Sequence, residues 1–176
     1  MADSSLIHST PRITPLKPGD FNEWARLFRA YIDFYHSTIA EEQYRKTFAR
    51  LVDVDGELYG LVLRDSMEPS KLPAIAHFYP HQTPWSEKKI MHFNGKLPES
   101  DKYERSADVR INLYVDPAVR REGSGRKMIL AVIEEAKKAG CLRVEWATAH
   151  DNPARTLYDE LAKCNFVEYR VKLDDF

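Results

Sequence analysis

Trp24, Leu27, Phe28, Tyr31 and Tyr35 recur at i, i+3, i+4, i+7 and i+11, the spacing of one face of an α-helix. Asp20, just after the Lys17-Pro18-Gly19 turn, stands where an N-cap carboxylate is expected. Upstream, Arg12 to Leu16 alternates briefly and predicts a first strand, which Pro15 and Pro18 keep short or at a sheet edge. A second helical pattern runs from Ala40 to Leu51, with Glu41, Glu42, Arg45 and Lys46 on a solvated face. The apolar runs Leu58 to Leu63 and Ala74 to Tyr79, separated by a polar turn with Pro69 and Ser70, predict an antiparallel pair. His81 to Ser106 is then polar and too long for a bare connection. It reads as a functional loop over a pocket or as an insertion, with Ser86 to Ser106 the extra part.

Further on, Ile111, Leu113 and Val115 predict a strand that ends in a proline turn, and two glycines open a long helix. That helix carries Met128, Ile129, Val132, Ile133 and Ala136 on one stripe and closes on Lys137, Lys138 and a C′ glycine, Gly140. Leu142 to Ala147 predicts a strand returning by a right-handed crossover, parallel to the strand ending at Val115. Asn152 and Pro153 read as N-cap and N1 of a last helix through Lys163, and Phe166 to Leu173 as a closing strand. The element order predicts an α/β (α+β) protein.

Composition narrows this picture. A chain of 176 residues suits one domain, expected over 11–176 after a loose tail at 1–10. A net charge of -1, with 43% hydrophobic and 30% charged residues, argues against disorder and against nucleic acid as a partner. No apolar run approaches the roughly 18 residues of a membrane span, and the first ten residues lack the basic flank and apolar stretch of a signal peptide. A cytoplasmic protein is expected, with the nucleus as the alternative compartment. Cys141 and Cys164 lack CxxC spacing and clustered histidines, so reduced packing residues and no metal site are expected.

The candidate chemistry lies between Val115 and Leu130. Gly123 and Gly125 strip Cβ atoms from a strand-to-helix turn, the N–H groups of the helix start are free, and Arg120, Arg121, Arg126 and Lys127 surround them. This predicts an anion cradle. A dinucleotide fingerprint fails because Met128 stands where its third glycine is needed, and a P-loop fails for want of G-x-x-x-x-G-K-[ST]. What fits is R-x-x-G-x-G, Arg120 to Gly125, directly after L-Y-V-D-P; alone, it is also compatible with an ordinary glycine-containing turn.

That loop resembles the acetyl-CoA loop of the GNAT N-acetyltransferases, whose backbone amides hold the coenzyme A pyrophosphate. N-P-A-R-T-L-Y-D-E-L-A-K-C-N-F, from Asn152 to Phe166, looks like the second GNAT signature, N-x-x-A-x-x-L-Y-x-x-x-G-F. It departs from the pattern in an alanine one residue early, a longer helix after Tyr158, and Asn165 in place of glycine. Trp24 to Tyr35 and His81-x-Thr83-x-Trp85 resemble the fungal histone and polyamine acetyltransferase branch, which also contains D-amino-acid N-acetyltransferases.

The resemblance implies a GNAT fold, a mixed central sheet with splayed parallel strands at the acetyl-CoA site, flanked by helices. It implies acetyl-CoA contacts from Leu113, Val115, Arg120, Arg121, Glu122, Gly123, Ser124, Gly125, Arg126 and Asn152. Tyr158 is implied as the acid for the departing thiolate. The base is open between Asp108, which is preferred, Glu104 and a water chain. Tyr31, Tyr35 and His81 are the expected acceptor residues, with core packing the competing role for the aromatic helix face. The implied activity is acetyl transfer to a small primary amine, a polyamine or amino acid, by direct attack in a ternary complex. Acetylation of histone or other protein lysines, or a non-catalytic acetyl-CoA sensor, are the alternatives, and a homodimer is left open.

Overall fold

A computed structural model describes residues 11–93 and 113–165. Strand β1 (Arg12–Pro15) precedes helices α1 (Phe21–Phe34) and α2 (Glu41–Val52). Strands β2 (Tyr59–Arg64), β3 (Ala74–Thr83) and β4 (Ser86–Phe93) follow, then β5 (Leu113–Val115), α3 (Ser124–Lys138), β6 (Val144–Glu145) and α4 (Arg155–Leu161). The sheet order is β1-β2-β3-β4-β6, with β5 also paired to β3. All pairings are antiparallel except β4 with β6. The fold is therefore a mixed α/β sheet flanked by helices.

Both faces of the central strand are covered, because alternate residues of β3 enter different cores. Ile75 joins Val62 and the α1 and α2 residues Trp24, Leu27, Phe28, Tyr31, Tyr44 and Phe48. Ala74, Ala76 and Phe78 join Leu61, Leu63, Met91 and the α3 stripe Met128, Ile129, Val132 and Ala136. Two-residue alternation with helices on both faces explains why β3 reads as continuously apolar over its first half. The periodicity of α1, α2 and α3 thus predicts their buried faces correctly.

Asp20 departs from its expected role. Its backbone is helical, and no side-chain cap bond is made. Instead its carboxylate accepts from Lys17 N–H at 2.8 Å and from both terminal nitrogens of Arg64, at 3.0 and 2.7 Å, tying β2 to the start of α1. Burial works to raise its pKa, yet the Arg64 and Lys17 hydrogen bonds and the Arg64 charge hold it below the ordinary value. The helix does without the cap because large buried side chains such as Trp24, Leu27 and Phe28 contribute about 1.5–3 kcal/mol each, against roughly 1 kcal/mol for a cap.

The polar stretch after His81 is corrected. Ser86–Phe93 is a strand, not part of an insertion: β3 runs on to Thr83, turns, and pairs with β4. β4 and β5 lie along the same edge of β3, as two pieces of one line. Phe93 faces Phe78 and Leu113 faces Ala76, so β3 advances two positions while the other chain advances twenty. The extra length is residues 94–112, entering opposite His77; Asp108 and Glu104 are among them and lie outside the described residues, as does the expected strand Phe166 to Leu173. The crossover strand has the expected direction: β6 runs parallel to β4, at Met91–Val144 and His92–Glu145, and so parallel to β5, which like β4 is antiparallel to β3; its ladder partner is β4.

His77 sits at that junction, 2% exposed, and its Nε2 accepts from Trp24 Nε1–H at 2.8 Å. Burial lowers its pKa from 6.5 to about 3. Below pH 6.5 the unfolded chain takes up a proton that the folded chain refuses, so this contribution to stability is complete above 6.5 and is lost as pH falls toward 3. Fully developed, the loss is on the order of 4–5 kcal/mol. Urea unfolding followed across that window should fall more steeply for the wild type than for His77→Gln. Parallel profiles for the two proteins would contradict a neutral buried His77.

Candidate active site

The sheet opens next to β5. Beyond the His92–Glu145 pair the ladder to β6 stops, and among the described residues β5 pairs with β3 alone. Asp116 N–H donates to the Pro73 carbonyl at 2.8 Å, which sets the phase of that antiparallel ladder. By its two-residue alternation, Tyr114 and Asp116 bond to β3, whereas the N–H and C=O of Leu113 and Val115 face the open edge. Arg120 Nε donates to the Val115 carbonyl at 3.1 Å and closes one end of that edge.

The loop after β5 is shaped by backbone conformations that glycine tolerates best. Asp116 accepts from Ala118 N–H at 3.1 Å and from Arg26 at 2.8 Å, which fixes the turn at Pro117–Val119. Arg121 then takes φ 68° and Gly123 φ 77°, both left-handed, before α3 begins. The first intrahelical bond runs from Lys127 N–H to the Gly123 carbonyl at 3.0 Å. The N–H groups of Gly123, Ser124, Gly125 and Arg126 therefore have no acceptor within the helix, and they stand at its positive end. A Cβ on Gly125 would point at Leu157 and Val115, 3.5 and 3.9 Å away, so this glycine faces the space between β5, α3 and α4.

Three phenols interact electrostatically here: Tyr31 of α1, Tyr35 at its C-terminal cap, and Tyr158 of α4. Tyr31 is 2% exposed, and its hydroxyl is buried with no hydrogen-bond partner among the described residues. Its ring lies 5.1 Å from Tyr35 and 6.4 Å from Tyr114. Tyr158 belongs to the core on the other face and packs edge-on against Trp146 at 5.8 Å. Burial first, and then the neighbouring Tyr35, push the Tyr158 phenol above its ordinary value; Tyr31 is raised by burial, then Tyr35 and Tyr158; Tyr35 rises to about 12 through burial. All three raised phenols are protonated at neutral pH.

With this geometry in view, the relatives are informative. The acetyltransferase (GNAT) family model matches residues 18–163. The chain belongs to that family. D-amino-acid N-acetyltransferase HPA3 of Saccharomyces cerevisiae is 28% identical over 151 residues, which cover 85% of this chain and 83% of the yeast protein. The [ribosomal protein bS18]-alanine N-acetyltransferase of Escherichia coli is 29% identical over 113 residues, 54% of this chain and 76% of its own. Among solved structures, ribosomal-protein-alanine N-acetyltransferase from Brucella melitensis biovar Abortus 2308 shares the fold, with a TM-score of 0.67, 17% identity, and coverage of 93% and 99% of the two chains. This GNAT chain is an N-acetyltransferase.

The GNAT site candidates distribute unevenly. Leu113, Val115 and the Arg120–Gly125 loop line one continuous edge. Glu122 is an exposed acid within it, and Arg121 is exposed with no ion pair among the described residues. Arg126 is committed elsewhere, to Glu160 of α4, an exposed pair that solvent weakens. Asn152 is not a helix N-cap: α4 begins at Arg155, and Asn152 closes an Asx-turn, accepting from Ala154 N–H at 2.9 Å and donating to Thr148 Oγ1 at 2.8 Å. The turn satisfies the asparagine locally before the helix starts, which is why an N-P pair here does not mark N-cap and N1.

His81 lies away from the tyrosines, beside two residues with no sequence cue. Its Nε2 is 3.4 Å from Glu145 Oε1, and His92 Nδ1 is 3.7 Å from the same oxygen. Burial works to raise the Glu145 pKa, but the Arg143 hydrogen bond and charge and the two imidazoles hold it below the ordinary value. His92 and Glu145 carry no cue in the sequence because strand register, not spacing, brings them beside His81.

Proposed function

We propose that this enzyme acetylates the nitrogen of a small primary amine, of the amino-acid or polyamine class, with acetyl-CoA as donor. The residues present fit that donor. The four N–H groups at the start of α3 that have no acceptor within the helix, the left-handed turn at Arg121 and Gly123, and the Arg121 charge suit a pyrophosphate. The free edge of Leu113 and Val115 suits an amide-bearing arm that can pair with a strand. When bound, acetyl-CoA supplies an activated acetyl thioester.

The observation that carries the acceptor reading is the buried Tyr31 hydroxyl, unpartnered among Tyr35, Tyr114 and Tyr158. An orphaned buried hydroxyl costs about 1–3 kcal/mol, so a polar group belongs beside it. Tyrosines can hold an amine by hydrogen bonding and cation–π contact. Similarity to a D-amino-acid N-acetyltransferase over most of the chain supports the same class.

In the reaction the amine nitrogen forms a bond to the acetyl carbon as the carbon–sulfur bond breaks. The nitrogen loses one proton and the sulfur gains one. Tyr158, held protonated by burial, would donate to the developing charge on sulfur, and the outward N–H groups of Leu113 and Val115 would be available to the acyl oxygen. Asp108 is assigned as the proton acceptor on the sequence reading alone. A panel of D- and L-amino acids, polyamines and histone peptides, at matched amine concentration and pH with thiol release followed, tests this function. A small amine should give the highest kcat/KM. Histone peptides outcompeting every small amine would reverse the assignment, and acetyl-CoA binding without thiol release from any amine would make the chain a sensor.

A further inference from the structure

The geometry points to a binding site for one divalent transition-metal cation, Zn2+ foremost, held by His81, His92 and Glu145. The register assembles it. His81 and Tyr79 alternate onto one face of β3, His92 lies opposite Tyr79, and Glu145 lies opposite His92. Three neighbouring strands thus bring two imidazoles and a carboxylate together, with one potential ligand atom from each within 4.8 Å of the others.

The distances suit a metal better than a plain hydrogen-bonded group. The separations from Glu145 Oε1, 3.4 Å to His81 and 3.7 Å to His92, are longer than the roughly 2.7–2.9 Å of a charge-assisted hydrogen bond. They approach the ligand-to-ligand edge of about 3.4 Å that tetrahedral bonds of about 2.0–2.1 Å require. His81 Nδ1 lies 3.0 Å from the Gln82 carbonyl, which can only accept, so Nδ1 carries the proton. In the neutral ring Nε2 is then the atom available to a cation; it is buried, lies 3.4 Å from Glu145 Oε1, and meets no other polar partner among the described residues.

The surroundings match what metal ligands need. A backbone carbonyl accepting from the far nitrogen of a ligating histidine is the usual orienting contact, here Gln82 on His81. Arg143 Nε holds Glu145 Oε2 at 2.9 Å and leaves Oε1 for the cation. Two imidazoles and one carboxylate suit Zn2+ and leave a fourth position open. The site is distinct from the acetyl-CoA edge and stands independently of the acetyl transfer proposed above.

Titration of metal-free, full-length protein with Co2+ should produce the visible bands of a low-coordinate site, and Zn2+ competed against a chromophoric chelator should bind at one equivalent per chain. Glu145→Gln and His92→Ala each delete a direct ligand, so each should weaken Zn2+ by more than the about 10- to 100-fold typical of losing an outer partner. Equal Zn2+ affinity in the wild type and in His81→Ala/His92→Ala would move the metal to other histidines and overturn the site. Absence of Co2+ bands in the wild type would leave only an imidazole–carboxylate contact there and overturns it without reference to any variant.

Discussion

Gly125→Glu should bind acetyl-CoA at least about 100-fold more weakly than the wild type while remaining folded. The direction of the missing Cβ carries the expectation. It points toward Leu157 and Val115 at ordinary contact distances, so a methyl group fits and Gly125→Ala should bind within a few fold of the wild type. A glutamate at the same position sets a carboxylate at the positive start of α3, beside the N–H groups assigned to the pyrophosphate. It competes for those donors as a tethered anion and repels the incoming one. Calorimetry with acetyl-CoA, paired with circular dichroism to establish folding, reads the effect. Unchanged affinity in folded Gly125→Glu would remove the cradle from this loop.

Tyr158→Phe should lower kcat by roughly 10²-fold, the low end for a proton donor, with little change in acetyl-CoA affinity. The substitution keeps the ring against Trp146 and in the α3/α4 core, so packing survives and only the hydroxyl is lost. Because burial and Tyr35 raise its pKa, the phenol is protonated across the neutral range. The loss should therefore be uniform between about pH 6 and 9, where a phenol of even ordinary pKa stays protonated. The comparison requires conditions in which the chemical step limits turnover. Full activity of Tyr158→Phe under those conditions would assign the tyrosine to packing alone.

Residue types and spacing were most legible where one short segment carries its own instructions. The α1 stripe Trp24, Leu27, Phe28 and Tyr31 is buried as its period requires, and the C′ position of α3 falls on Gly140, at φ 67°. The Arg120–Gly125 loop forms where expected because a proline turn, two glycines and a helix start leave few other conformations. Asn152 shows the limit of such local reading. An Asx-turn and an N-cap use the same side chain and the same N-P pair, and the contact to Thr148 selects the turn.

Strand β4 was missed because Ser86 to Lys89 is polar and only Ile90 and Met91 enter the core, so alternation is too short to register. Its pairing with β3, and then with β6, depends on which edges meet when the chain closes. The amino-acid sequence by itself determined the helices and their buried faces, the strand-loop-helix cradle, and membership in an acetyltransferase family. Tertiary structure alone decided three further things: the line of β4 and β5 along β3, the burial of Tyr31 and Tyr158 in the cores on opposite faces of the sheet, and the meeting of His81, His92 and Glu145. The division follows from range. Periodicity and backbone restrictions act over a few residues, whereas register is set by hydrogen bonds between segments far apart in the chain, and it alone places side chains from separate strands on one face.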